Sequence, residues 1–259
     1  MFEISRHPRS QRLRQRLWAL LILAVVVALF SAWFMKYLVP AFVVATLLVV
    51  ALGALFGPMN ARKRRKAMER IAKRLGLKFT SAPRTRGLPG VRGLYRLGLF
   101  QSGDKRKLLN VMNGRVEGIR VTVFDYSFEI GGAMGGNSET HRQTVCAVYD
   151  EGLDLPYFEL KPAGAWAKLC TMAGFEDIGV AESARFSAQY VLSGKDEPEI
   201  RTAFTTEVLG FFETCPWMHV QGGGDTIIFT HTGGLLEVKE VEALLMDGIR
   251  GLVAFGAKK

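Results

Sequence analysis

The chain has 259 residues and a mass of 28.7 kDa, with 49% apolar and 22% charged residues. That composition excludes wholesale disorder and a collagen-like repeat. The formal charge of +10 divides unevenly: residues 1–74 hold 14 Lys/Arg against Glu3 and Glu69, while residues 75–259 hold 20 Lys/Arg against 22 Asp/Glu. The basicity therefore belongs to the first quarter, and the remainder is not a basic nucleic-acid-binding domain.

Residues 17–35 form a run of 19 uncharged residues; Lys36 interrupts, and residues 37–60 add 24 more. A bilayer core about 30 Å thick needs roughly 20 residues of helix. Neither run has the polar face that a globular core helix would show. The pattern predicts two transmembrane helices, about 17–35 and 39–57, in a region 1–60 that begins with a basic tail. Their connection, around Met35 to Pro40, is long enough only for a tight hairpin. Trp18, Trp33 and Tyr37 lie near the ends, where amphipathic rings favour the headgroup zone. Arg6, Arg9, Arg12, Arg14 and Arg16 precede the first run, and eight further cations follow the second by Arg74. The positive-inside rule then sets both termini in the cytoplasm. A cleaved signal peptide fits poorly, because the apolar run is long, no small-x-small site follows, and a second run comes at once.

Arg62, Lys63, Arg64, Arg65 and Lys66 form a basic run just past the second span. Such a run anchors topology and attracts anionic headgroups, each cation contributing on the order of 1 kcal/mol. The lipid bilayer and its anionic headgroups are the expected partners. No nucleic acid is expected, since no aromatic platform or reader motif accompanies the charge. Ala67, Met68, Ile71, Ala72 and Leu75 recur at helical spacing and Gly76 supplies a stop, so residues 61–76 read as a basic juxtamembrane helix. A break is expected near Gly57 and Pro58.

Residues 77–259 are long enough for an independent core. Leu77 to Thr80 begins as a strand, and the Pro/Gly-rich stretch 81–93 reads as loop. Lys107 to Met112 reads as a strand closed by a hairpin turn at Asn113 and Gly114. Ile119 to Ile130 alternates through Ile119, Val121, Val123 and Asp125 on one face and Phe124, Tyr126 and Phe128 on the other. His141 to Tyr149 and Tyr157 to Leu160 follow as strands, then a helix over 163–173 and a strand over Phe186 to Leu192. Asp196 and Glu199 form a capping signal, with Pro198 in the first turn, for a helix buried through Ile200, Phe204, Val208, Phe211 and Phe212. Trp217 to Val220 and Thr226 to Thr230 flank Gly222, Gly223 and Gly224 as a hairpin. A last helix over 238–255 buries Val241, Leu244, Leu245, Ile249 and Leu252. Hairpins imply antiparallel pairing, so the fold class is α+β, a mostly antiparallel sheet with a few packed helices behind a two-helix transmembrane hairpin.

Chemistry-bearing residues are few. The glycines at 131–136 and 222–224 join strands rather than a strand and a helix, and no Gly-Lys-Ser/Thr follows, so they read as hairpin loops. Cys146, Cys170 and Cys215 lack zinc-like spacing and read as reduced core residues. A hairpin centred on Gly223 would bring Cys215 opposite His231, a thiol beside an imidazole. His219 lies on a neighbouring strand; His7 and His141 stand apart, and no third metal ligand is spaced to join them. Asp125, set among apolar neighbours, reads as a hydrogen-bonded structural carboxylate, with general base as the alternative. Glu176 and Asp177 read as a solvated turn. No cofactor and no metal are expected, and no catalytic residue is assigned.

Several stretches carry a resemblance. Arg70-Ile71-Ala72 through Leu77-Lys78-Phe79, Phe124-Asp125-Tyr126 before Gln143-Thr144-Val145, Leu155-Pro156 with Phe158-Glu159-Leu160, and Phe186 with Tyr190-Val191-Leu192-Ser193-Gly194 recur along most of the chain. With the two apolar runs, they resemble a family of uncharacterised bacterial two-span membrane proteins with a cytoplasmic α+β domain. The resemblance implies a multi-pass protein of the bacterial inner membrane and supplies no activity. The expected function is a binding or scaffold module at that membrane, engaging a protein partner or a second copy of the chain. The alternative is a membrane-tethered enzyme using Cys215 and His231, or Asp125. Transport is disfavoured, because no ionisable residue falls at mid-membrane depth of either span.

Overall fold

The structure, a computed structural model, describes residues 8–83, 94, 96–101, 103–131, 138–163, 178–180 and 183–256. The chain divides into two compact units, Met1–Arg62 and Lys63–Lys259.

One helix, α1 (Pro8–Arg74, 67 residues), supplies the described part of the first unit and the opening of the second. Its segment Val25–Leu48 is long and apolar enough to cross a membrane, with a mean hydropathy of 1.8 and none of it buried. Phe30, Trp33, Phe34 and Tyr37 form a ladder of tilted ring contacts along its exposed surface. Where the sequence predicts a two-helix hairpin, α1 runs unbroken through residues 35–40 and through Pro58. Neither Met35 nor the residues up to Pro40 include a Gly or Asn that would readily take a left-handed turn.

In the second unit, residues 63–74 of α1 bury Met68, Ile71 and Ala72. Gly76, at φ +68°, ends the helix: its N–H bonds the carbonyl of Lys73 while that of Leu77 reaches the carbonyl of Ala72. The chain then builds an antiparallel sheet from β1 (Lys78–Thr80), β2 (Asp104–Val116), β3 (Ile119–Ile130), β4 (Glu139–Tyr149), β5 (Leu155–Pro162), β6 (Tyr190–Gly194), β7 (Met218–Gly224) and β8 (Thr226–His231). Their spatial order is β1-β2-β3-β4-β8-β7-β5-β6, every neighbouring pair antiparallel. Helices α2 (Ala184–Gln189), α3 (Glu197–Ala203), α4 (Thr206–Thr214) and α5 (Val241–Ala254), with short 3-10 helices at Gly98–Phe100 and Val238–Glu240, complete the described elements of the α+β domain.

Strand alternation divides the core in two. Met112, Val121, Val123, Cys146, Val148, Phe158, Leu160, Val220 and Phe229 join the larger cluster with the helices and with Met68 and Ile71. Phe124, Tyr126, Phe128, Val145, Ala147 and Ile228 face the other way, under Leu94, Leu97, Leu99 and Phe100. The helix side is packed closely enough that Gly248 and Gly251 of α5 are required. A Cβ on Gly251 would lie 2.6 Å from Cζ of Phe229, and one on Gly248 would lie 2.9 Å from Sγ of Cys146.

Three local expectations are corrected. β2 continues through Asn113 and Gly114; the turn falls at Glu117 and Gly118, both at positive φ, between the paired Val116 and Ile119. Phe186 lies on α2, not a strand: Ser183 caps that helix by accepting from the Phe186 N–H, and the i,i+4 pair Phe186 and Tyr190 brings its rings 5.6 Å apart. The single helix expected after Asp196 is divided at Phe204 and Thr205 into α3 and α4, although Asp196 does cap it by accepting from the Glu199 N–H. The helix expected over 163–173 lies almost wholly outside the described residues.

Candidate functional site

Two polar centres occupy opposite faces of the sheet. The first is Asp125, which β3 alternation turns toward the helix side and leaves 4% exposed. A bulge in β2 prepares it: residues 110 and 111 oppose Phe124 alone between the pairs Leu109–Asp125 and Met112–Val123. Asn110 takes φ +51° there and donates from Nδ2 to Asp125 Oδ2 at 2.8 Å. Arg64 of α1 donates from Nε to Oδ2 and from Nη2 to Oδ1, both at 2.7 Å. Thr144 Oγ1 donates to Oδ1 at 3.2 Å and itself accepts from the Leu236 N–H at 3.1 Å, while Arg64 Nη1 donates to the Leu236 carbonyl at 2.6 Å. Both carboxylate oxygens are thus occupied by a fork-to-fork pair plus neutral donors, the arrangement that offsets the desolvation of a buried charge. Asp125 is a structural clamp, and no lone pair is left to act as a general base.

The second centre lies on the opposite face, where β5 and β7 present Tyr157, Glu159, Lys161, His219 and Gln221. Glu159 Oε1 accepts from Gln221 Nε2 at 2.6 Å and lies 2.7 Å from His219 Nε2; Oε2 lies 2.8 Å from Lys161 Nζ. Burial would raise this carboxyl, but the hydrogen bonds and charges of His219 and Lys161 outweigh it and hold the pKa down to about 2. Gln221 Oε1 accepts from the Leu99 N–H at 3.0 Å, and Tyr157 accepts from the Gly98 N–H at 3.3 Å, so the same residues pin the segment over the smaller core. Beside them opens a cleft of about 1480 Å³ lined by the cations Arg96, Lys161 and Lys195 and by Glu159; Arg142 also borders it, but β4 alternation sets its side chain on the Thr144 face.

The residues singled out in the sequence scatter. Met218, not Cys215, pairs with His231, because the hairpin turns at Gly224 and Asp225 rather than at Gly223. Cys215 closes α4 instead, 8% exposed, its thiol pushed up by burial and its carbonyl accepting from the Tyr190 hydroxyl. Cys146 is fully enclosed and its thiol is likewise pushed up by burial. Neither is an activated thiolate. Cys170, His7, Glu176, Asp177 and the loop glycines 132 and 135–136 lie outside the described residues. His141 stacks on Phe128 with ring centroids 5.4 Å apart. Among the described residues no three His, Cys, Asp or Glu side chains converge as metal ligands would. Of the basic run, Arg62, Lys63, Arg65 and Lys66 are exposed, whereas Arg64 is turned inward onto Asp125 and is corrected from lipid contact to clamp. Glu159, Lys161 and Gln221 are not among the candidate residues that the sequence offers; for Glu159 and Lys161 the local signal is the alternation Tyr157, Glu159, Lys161 against Phe158, Leu160, Pro162, a polar strand face.

No protein-family model matches the chain, and no curated protein matches it. Among solved structures it is similar to the mycobacterial trehalose monomycolate transport factor A, TtfA, at 16% identity and a TM-score of 0.48, over 75% of this chain and 92% of that one. The fold and centres themselves define an α+β domain that follows an N-terminal apolar helix and carries an open basic cleft.

Proposed function

We propose that the chain is a membrane-anchored binding module. Residues 17–35 and 39–57 cross the bacterial inner membrane as a hairpin, both termini are cytoplasmic, and the α+β domain is held at the inner surface. The observation that carries this reading is the apolar surface of α1: Leu29, Phe30, Phe42 and Leu47 are each more than 60% exposed, and none of Val25–Leu48 is buried. Soluble proteins rarely leave so large a contiguous apolar patch in water, and hydrocarbon is its natural solvent.

Length favours the hairpin. A straight helix over residues 17–60 would extend about 66 Å, roughly twice the hydrocarbon thickness of about 30 Å, and would hold Lys36 near its middle. The hairpin requires α1, continuous through residues 35–40 in the structure, to break around residues 36–38 in the bilayer; that break gives two spans of matching length and lets Lys36 reach the headgroups. The resemblance to bacterial two-span proteins agrees. Arg62, Lys63, Arg65 and Lys66 then contact anionic headgroups. Binding is favoured over catalysis because Asp125 is fully occupied, the described thiols are suppressed, and Cys215 and His231 do not meet. Alkaline phosphatase fused after Lys36 is expected to be active, and fused after Lys259 inactive. Activity at both positions, or at Lys259 alone, would contradict the two-span topology.

A further inference from the structure

We propose that the basic cleft beside Glu159 binds the head of an anionic membrane lipid. The region 75–259 is net negative, yet the cleft sets the three cations Arg96, Lys161 and Lys195 against one carboxylate. Of these, Arg96 and Lys195 make no ion pair among the described residues, so their charge is available to an incoming anion. Glu159 takes up only Lys161 and His219, and in doing so fixes their direction.

Gln143 borders the cleft, and its Nε2 is buried with no hydrogen-bond partner among the described residues. A buried donor left without an acceptor is costly, and a turn of the Gln143 side chain into the cleft would let an anionic oxygen satisfy it.

At about 1480 Å³ the cleft exceeds what a drug-sized ligand fills. Its walls include Ile130 at 48% and Tyr157 at 38% exposure, apolar surface suited to acyl carbons rather than to a free inorganic ion. The choice of a lipid over a soluble anion rests on the membrane reading proposed above.

The test is native mass spectrometry of the full chain released from detergent, with dioctanoyl phosphatidylglycerol, dioctanoyl phosphatidylcholine and inorganic phosphate as probes. One phosphatidylglycerol is expected to bind saturably, and Arg96→Gln with Lys195→Gln to weaken it by at least about ten-fold. Ile130→Ser is expected to weaken the lipid but not phosphate, and Arg62→Gln with Lys63→Gln, outside the cleft, to change nothing. Equal binding of phosphatidylcholine, or unchanged affinity in the cleft variant, would overturn the site. Phosphate binding as tightly as the lipid would overturn the lipid as its occupant. A chain that needs no detergent to stay in solution defeats the membrane reading instead, so the two failures are told apart.

Discussion

Asp125 and Glu159 sit on opposite faces of the same sheet, and each gathers cations, but in different ways. Asp125 draws its cation from α1, a helix 61 residues away in sequence, and has both oxygens occupied beneath a layer of packed helices. Glu159 draws Lys161 and His219 from its own and the adjoining strand, beside a cleft with cations to spare. A buried carboxylate with a distant, dedicated partner holds two elements together. One with local partners at an open surface arranges donors for something that arrives. The contrast explains why Asp125, a carboxylate set among apolar residues in the sequence, is architectural, while the polar face of β5 and β7 is the better candidate site.

The largest effect should come from breaking the clamp. Asp125→Asn or Arg64→Met leaves its partner buried without countercharge and should destabilise the domain by about 3–5 kcal/mol in denaturant unfolding. The double variant Arg64→Met with Asp125→Leu should lose less than either single variant. Equal losses would mean that the ion pair is not the coupling.

Packing separates the faces next. Gly251→Val, on the helix side, should cost about 1–3 kcal/mol by overpacking against Phe229. Gly223→Ala, whose new Cβ would meet nothing closer than 3.7 Å on the cleft side, should lie within about 0.5 kcal/mol of the parent. A smaller effect concerns pH. Because the Glu159 pKa is depressed from 4.5 to about 2, its contribution to stability is complete above the ordinary value and is lost as pH falls toward the folded one. Glu159→Gln should therefore flatten the acid limb of a stability-versus-pH curve and leave the neutral region less stable than the parent; an unchanged acid limb would remove this carboxylate from the account. Smallest of all, Arg62→Gln with Lys63→Gln should leave stability within about 0.5 kcal/mol, since both side chains are exposed.

Much of the fold is legible along the chain because alternation and capping are local signals. The β3 pattern, the Asp196 cap, the Gly76 stop and the buried stripe of α5 need only neighbours a few residues apart. Phe186 misleads because alternation at 186, 188 and 190 also contains the i,i+4 pair of a helix, and the Ser183 cap decides between them. The hairpin at Asn113 and Gly114 misleads because turn propensity is weaker than the pairing of β3 along the full length of β2. The clamp was half legible: Asp125 announced a need for partners, but Arg64 was hidden inside a run of five similar cations. Nothing local distinguishes it from Arg65; the helical turn that faces β3 does.

The most direct measurement is alkaline carbonate extraction of membranes from cells making the full chain. The protein is expected to remain in the membrane pellet and to be released only by detergent, as the exposed apolar surface of Val25–Leu48 requires. Release into the carbonate supernatant as a folded, detergent-free monomer would contradict that expectation.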